Sequence, residues 1–394
     1  MNVPKTNAEI VELESRYTSG VYNLRSVALV RGEGAHLWDA DGRQYIDCVG
    51  GHGVVNVGHC NPEVAQAICD QARTLITCPT SFPNDKRAML VAELIRIAPF
   101  KAARAFLCNS GTESIEAALK FARLATGRKG YIAAKNAFHG RTFGSLSATW
   151  NAEYRKPFEP LVPGFTHVAY NDAAALEQAM NDDTAAVILE IVQGEGGVRP
   201  GDGEYLRRAQ ALCRERGALL IIDEVQTGFG RTGKMFACEH YGIEPDLMCV
   251  AKSIAGGLPM GAVLIGERLG ELASQSHGTT FGGNPITCAA ALAVIHYIEA
   301  NKLPERAAEL GEYFMGQLRQ IKSPLIREVR GLGLMIGLEL KQRSAPFIAQ
   351  LIERGVLTLA AGPIVIRFLP PLVIGKSDID NVLEAVTDVL TVQK

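Results

Sequence analysis

Short apolar runs recur along the chain, separated by stretches with the 3.6-residue repeat of helix. Residues 105–108, 131–134, 185–192, 219–222, 247–251 and 259–265 are such runs. Each has the length and composition of a strand buried on both faces. Between them lie helical patterns. One opens at Asn61-Pro62, with Asn as N-cap, Pro at the first helical position, and Val64, Ile68, Ala72 and Leu75 as its apolar face. Another is SIEAALKFARLATG, residues 114–127, and a third is ITCAAALAVIHYIEAN, residues 286–301. Strands alternating with helices predict an α/β fold with a mostly parallel sheet.

The two ends of the chain have a different pattern. Residues 1–35 read as a helix and an irregular lead-in. AHLWDADGRQYID then reads as a hairpin turning at Asp41-Gly42. Beyond a helix at 304–321, IREVRGLGLMIGLEL reads as a strand. Its GLGLMIG is not a dinucleotide fingerprint, because it lies within the strand-like run and opens no helix. A helix near 344–354 and strands through VLTLAAGPIVIRFLPPLVI follow. Ser377 and Asp380 have the spacing of a capping box for the last helix. The expected division is an N-terminal segment, 1–60, belonging to a small α+β domain, a large domain over 61–295, and the rest of the small domain over 296–394.

Composition narrows the function classes. Hydrophobic residues make up 47% and charged residues 21% of the chain, with a net charge of −2. That balance gives no reason to expect nucleic-acid or anionic-membrane binding. No apolar run is long enough for a membrane span, and MNVPKTNAEIVELE has no secretory apolar region, so a cytoplasmic protein is expected. The nine cysteines are dispersed, without a CxxC, and read as reduced and mostly buried. No metal site is expected. VGGHGVVNVGHCNP reads as a Gly-rich loop near a ligand, with His52 and His59 as satisfied loop histidines rather than ligands.

Candidate chemistry falls at the ends of two runs. In an open α/β sheet, ligands sit beyond the carboxyl ends of the strands. Asp223 closes one run and Lys252 follows another. A desolvated lysine amine is a nucleophile toward carbonyls. A carboxylate beside it can hold a pyridine nitrogen protonated, which makes the ring an electron sink. The pair is the minimal constellation for pyridoxal 5′-phosphate. It is also what a surface lysine and a turn-closing aspartate look like, so the surrounding residues decide.

IIDEVQTGFGRTGKMFACEHYGIEPDLMCVAKSIAGGLPMG resembles the signature of class III (ω-) aminotransferases, fold type I pyridoxal-phosphate enzymes. The resemblance covers about residues 20–392. It implies Lys252 as the Schiff-base lysine, Asp223 as the partner of the pyridine nitrogen, Val225 on one ring face and Gln226 on the phenolic oxygen. Asn109-Ser110-Gly111-Thr112-Glu113 is similar to the family's phosphate cup, with Ser114 where Ala is usual. Ser110, Gly111 and Thr112 carry over as phosphate ligands, in keeping with a helix N-terminus as an anion site. The Phe138-His139-Gly140-Arg141 motif implies Phe138 over the ring and Arg141 as a fork for a substrate carboxylate. Glu195, in a motif with Ile191 where the family has Pro, matches the gating glutamate, and Arg367 its arginine partner. HGTTFGGNP resembles the loop that reaches the partner subunit's cofactor phosphate through Thr280, with Thr279 a substrate neighbour, which implies a homodimer with shared sites.

The wording VGGHGVVNVGH and IRFLPPLVI most resembles the acetylornithine group. It leans toward the branch acting on ω-semialdehydes carried on a small acidic amino-group carrier protein, with glutamate and 2-oxoglutarate as the other pair, in lysine or arginine synthesis. A 4-aminobutyrate or ornithine aminotransferase, a glutamate-1-semialdehyde-type mutase and a non-enzymatic α/β scaffold stay open at this point.

Overall fold

A computed structural model describes residues 4–391. Its centre is a seven-stranded sheet: β1 (Ala102–Cys108), β2 (Gly130–Ala134), β3 (Phe165–Val168), β4 (Thr184–Glu190), β5 (Leu219–Asp223), β6 (Leu247–Val250) and β7 (Gly261–Gly266). The spatial order is β1-β7-β6-β5-β4-β2-β3. β7 runs antiparallel to both of its neighbours, and the remaining pairs are parallel. Every residue of β4, β5, β6 and β7 is buried. Continuous apolar runs therefore suit them, since helices cover both faces of such a sheet.

The helices start where their side chains supply the missing acceptors. Asn61 accepts from the N–H groups of Glu63 and Val64 at the head of Pro62–Thr74. Ser110 caps Gly111–Thr126 by accepting from Glu113, and Gly127, at φ +69°, closes that helix in the left-handed region. The expected apolar face of the 62–74 helix is only partly covered. Val64 and Gln71 are buried, while Ala72 and Leu75 lie exposed, Leu75 beyond the helix end.

Both chain ends share a second layer. The Asp41-Gly42 turn joins His36–Asp39 to Gln44–Asp47 as an antiparallel pair, and Val356–Leu357 pairs in parallel with Gln44–Asp47. IREVRGLGLMIGLEL is a hairpin rather than one strand: Ile326–Leu332 pairs with Met335–Leu340. Gly333 turns it at φ +53°, packed so closely against Thr232 and Gly233 that no side chain would fit. The capping box at Ser377 and Asp380 does not form. The helix Lys376–Thr391 begins one residue earlier, Asp378 accepts from Gly375 N–H, and Asp380 accepts from the Tyr313 hydroxyl. Helix Pro285–Ala300 runs unbroken across 295/296. Six of the nine cysteines are buried, and all nine are free. No helix among the described residues is long and apolar enough to cross a membrane.

Candidate active site

The carboxyl ends of β4, β5 and β6 open onto a cavity of about 440 Å³. Asp223 ends β5. Lys252 follows β6, opening a short 3-10 turn at φ +45°, a strained conformation for a residue with a side chain. Both line the cavity, with Ser110, Gly111, Thr112, Phe138, Arg141, Glu195, Val225 and Gln226. Ten of the thirteen residues singled out from sequence thus come together, although they lie as far apart as 110 and 252.

The remaining three are placed differently. Arg367, on Val365–Phe368, is only 1% exposed and reaches the cavity through its neighbours. Its Nη1 donates to Glu195 Oε1 at 2.6 Å and to Gln226 Oε1 at 3.2 Å. Thr279 accepts from Asn109 Nδ2 at 3.0 Å, behind the Ser110–Thr112 turn. Thr280 is exposed and does not line the cavity of its own chain.

The electrostatics press both Lys252 and Glu195 downward from their ordinary values. Burial holds the Lys252 amine below the ordinary lysine range, against the opposing pull of Glu195 and Asp223. Burial also works against ionisation of Glu195, but the charge and hydrogen bond of Arg367 outweigh it and hold the carboxyl low. Asp223 is fixed on both oxygens. Oδ1 accepts from Val225 N–H at 3.0 Å, and Oδ2 accepts from His139 Nδ1 at 2.8 Å. Although burial opposes the charged ring, that bond and the Asp223 charge raise His139 above the ordinary histidine value.

Sequence reasoning missed two residues here. His139 was read as part of a motif and given no task, yet it is the direct partner of Asp223. Glu190 ends β4 beside Asp223, which is its register partner. Its oxygens accept from Phe138 N–H at 3.1 Å and Gly194 N–H at 3.2 Å, so one carboxyl ties the loop of Phe138 to the loop of Glu195. Burial pushes it up to about 7. In the sequence Glu190 lies inside the apolar run 185–192, and only the structure shows that the strand ends on it.

The departures from the family pattern are absorbed locally. Ser114 is buried and its hydroxyl donates to Gly111 O at 2.7 Å, within the helix's first turn. Ile191 is buried, and its carbonyl accepts from Gly201 N–H at 2.8 Å, so the chain still leaves the sheet there. The Gly-rich segment contributes Val54 to the cavity wall, and His59 is satisfied by Asp47 Oδ2 at 2.6 Å.

The residues present fit pyridoxal 5′-phosphate. One wall is the N-terminus of a sixteen-residue helix, with free N–H groups and the Thr112 hydroxyl. At Gly111 an added Cβ would come within 2.7 Å of Val225, so the backbone itself forms that wall. The Asp223 carboxylate, fixed by two hydrogen bonds, and an amine that burial holds below the ordinary lysine range line the same space.

Comparison with known proteins points the same way. The family model of class-III aminotransferases matches residues 17–390. The [LysW]-aminoadipate semialdehyde transaminase of Deinococcus radiodurans is 52% identical over 96% of this chain and 89% of that one. The acetylornithine aminotransferase of Methanothermobacter thermautotrophicus is 46% identical over 97% and 98%. Among solved structures, the ornithine aminotransferase of Toxoplasma gondii superposes with a TM-score of 0.94 at 33% identity, covering 98% of this chain and 94% of that one. The acetylornithine aminotransferase of Elizabethkingia anophelis superposes with a TM-score of 0.86 at 31% identity, over 98% and 99%.

Proposed function

This chain belongs to the class-III aminotransferases, and we propose that it moves an amino group between glutamate and the ω-semialdehyde of an N-blocked amino acid in lysine or arginine biosynthesis. It is a pyridoxal-phosphate-dependent ω-aminotransferase of the α/β, fold type I architecture. The observation that carries the substrate reading is the Glu195–Arg367 pair beside Lys252. A buried arginine that can be neutralised or freed lets one pocket take a neutral chain and then an α-carboxylate. An enzyme alternating between an ω-amine and glutamate needs that property. The blocked amino acid is an aminoadipate or glutamate semialdehyde, carried on an acidic amino-group carrier protein or acetylated, after the relatives' own names.

When bound, pyridoxal phosphate supplies an aldehyde for amines and a ring that accepts the electron pair left on the substrate carbon. The protein's tasks divide around it. Lys252 Nζ, which burial holds below the ordinary lysine range, would bind the cofactor's carbonyl carbon and, when free of it, would serve as the general acid–base that moves the substrate carbon's proton. Asp223, fixed by His139 and Val225, would keep a proton on the ring nitrogen. Ser110, Gly111 and Thr112 would hold the phosphate. Val225 and Phe138 would confine the ring, Gln226 would bond its phenolic oxygen, and Arg141 would take the carboxylate of the blocked substrate, with Thr279 nearby.

A homodimer completes the site in this reading, with Thr280 reaching the partner's phosphate. Support comes from apolar surface in one region. Phe82 and Phe281 are each 64% exposed, and Arg87 bridges the carbonyls of Cys78, Phe82 and Gly283 between them. The enzyme is proposed to work in the cytoplasm, without nucleic-acid or membrane partners.

The test is a donor screen with 2-oxoglutarate as acceptor. Carrier-linked and acetylated ω-amines should outperform free 4-aminobutyrate and free ornithine, with 2-oxoglutarate consumed stoichiometrically. Turnover without 2-oxoglutarate would indicate a mutase instead. A carrier advantage that shrinks as salt rises would single out the carrier-linked substrate, because exposed attractions are screened within ~10 Å at 0.1 M.

A further inference from the structure

A second cavity of about 450 Å³ adjoins the first, and Phe138 and Glu195 line both. Each volume is within the range of small-molecule sites, roughly 300–1,000 Å³. Asn136, Trp150, Asn151, Tyr154, Arg199 and Glu339 line the second chamber. Arg141 stands at the junction: it lines the first cavity, and its guanidinium carbon lies 3.4 Å from the centroid of Tyr154, a wall of the second.

The ion-pair cluster that reaches this chamber through Arg199 and Glu339 is lopsided in charge. Glu339, buried, is surrounded by Arg199 at 3.1 Å, Arg327 at 3.0 Å and Arg330 at 2.7 Å. Glu328, 2.5 Å from Arg330, is the only other carboxylate paired within this group among the described residues. Three guanidinium groups thus face two carboxylates. Arg330 is committed, since it is buried and also donates to the carbonyls of Gly197 and Val198. Arg199 is not. Its side chain is 47% exposed, and its one recorded hydrogen bond, to Glu339, uses one of five N–H donors. Glu195, the other acid on the wall, is neutralised by Arg367. An anion entering here meets the Arg199 guanidinium on the chamber wall, and neither carboxylate lining it, Glu195 or Glu339, is unpaired. Asn151 adds a side-chain NH₂ group, its Oδ1 being occupied by Glu153 N–H.

We propose that the second chamber is a subsite for an acidic acyl group on the substrate's α-nitrogen, whose carboxylate is bound by Arg199. This rests on the reading above, that the substrate is an N-blocked ω-amine. With the amine at Lys252 and the α-carboxylate at Arg141, the neighbouring nitrogen lies at the junction and its substituent has the second chamber beside it. A guanidinium fork suits a carboxylate there better than it suits a neutral cap.

The experiment uses the holoenzyme and two forms of one ω-amine. In one the α-nitrogen carries a glutaryl cap. In the other the cap's free carboxylate is converted to its primary amide, so length is kept and charge removed. Wild type should favour the acid cap by at least ~10-fold in kcat/KM, the lower end of the scale of one charged hydrogen bond. Arg199→Gln should remove most of that preference through KM, and Arg199→Lys should retain part of it. Asn151→Trp fills the chamber without touching the arginine group, and should raise KM for both capped amines relative to glutamate. Equal use of the two caps by wild type overturns the proposal, as does an Arg199→Gln that slows both alike or an Asn151→Trp without effect. If neither capped amine reacts while the glutamate half-reaction runs, the substrate reading has failed and takes the subsite with it. That result is distinct from equal use of both.

Discussion

Arg367 donates to Glu195 Oε1 at 2.6 Å from a site closed to solvent. On the proposed reading glutamate's α-carboxylate displaces Glu195 from Arg367, and an ω-amine leaves the pair in place. Glu195→Ala leaves Arg367 permanently free. The half-reaction with the ω-amine should then slow by about tenfold relative to the half-reaction with glutamate, since an unpaired buried charge meets a neutral chain. Stopped-flow absorbance measures each half separately. Equal effects on both would remove Glu195 from the gate.

Lys252→Ala should abolish turnover while the protein stays folded. The residue sits in a strained turn that alanine adopts no more easily, so a small loss of stability of about 1 kcal/mol is tolerable. Borohydride reduction of the wild-type holoenzyme followed by peptide mapping should find the cofactor on Lys252. Label on another lysine would refute the assignment.

Asp223→Asn should keep the cofactor and lose at least ~10²-fold in kcat, because an amide does not hold the ring nitrogen protonated. The His139 contact gives a second readout. His139→Asn should lower kcat less, by about tenfold, and shift the pH profile of kcat, because Asp223 would lose its Oδ2 partner. A His139 variant with an unaltered profile would make that contact merely structural.

The sheet was legible because its strands are short and apolar and sit between strong helical patterns. Asp223 and Lys252 were legible because strand ends are where such folds place chemistry. What was hidden depended on contacts distant in sequence. The Glu195–Arg367 pair came from the resemblance, but nothing near Arg367 in the chain shows that Gln226 shares its guanidinium. The hairpin at Gly333 was invisible because a Gly-rich, evenly apolar run gives no break in periodicity, and the turn is set by packing against Thr232. The guanidinium surplus at Glu339 draws on residues 199, 327 and 330, which show no cluster in the chain. Glu190 was hidden because Ile191 and Val192 continue the apolar run past the residue at which the strand ends.

Glu190 gives the pH dependence. It and Asp223 are register partners at the ends of two buried strands. Burial raises its carboxyl from the ordinary 4.5 to about 7, so the folded state holds a proton that the unfolded chain releases. Stability must then fall as pH climbs from about 4.5, and the loss is complete above about 7. His139 acts in the same direction, because a raised histidine contributes stability below its unfolded value that is lost as pH rises through its folded one. Glu190→Gln removes the first contribution. It also costs stability at every pH, since an amide has only one acceptor for the N–H groups of Phe138 and Gly194. The informative quantity is therefore the gap between variant and wild type. Between pH 5 and pH 8 that gap should move in the variant's favour by about 1–3 kcal/mol, measured by urea unfolding of both holoproteins. A gap that is constant with pH would mean that Glu190 stays ionised throughout, and that the carboxyl tying the Phe138 and Glu195 loops carries its charge into the reaction.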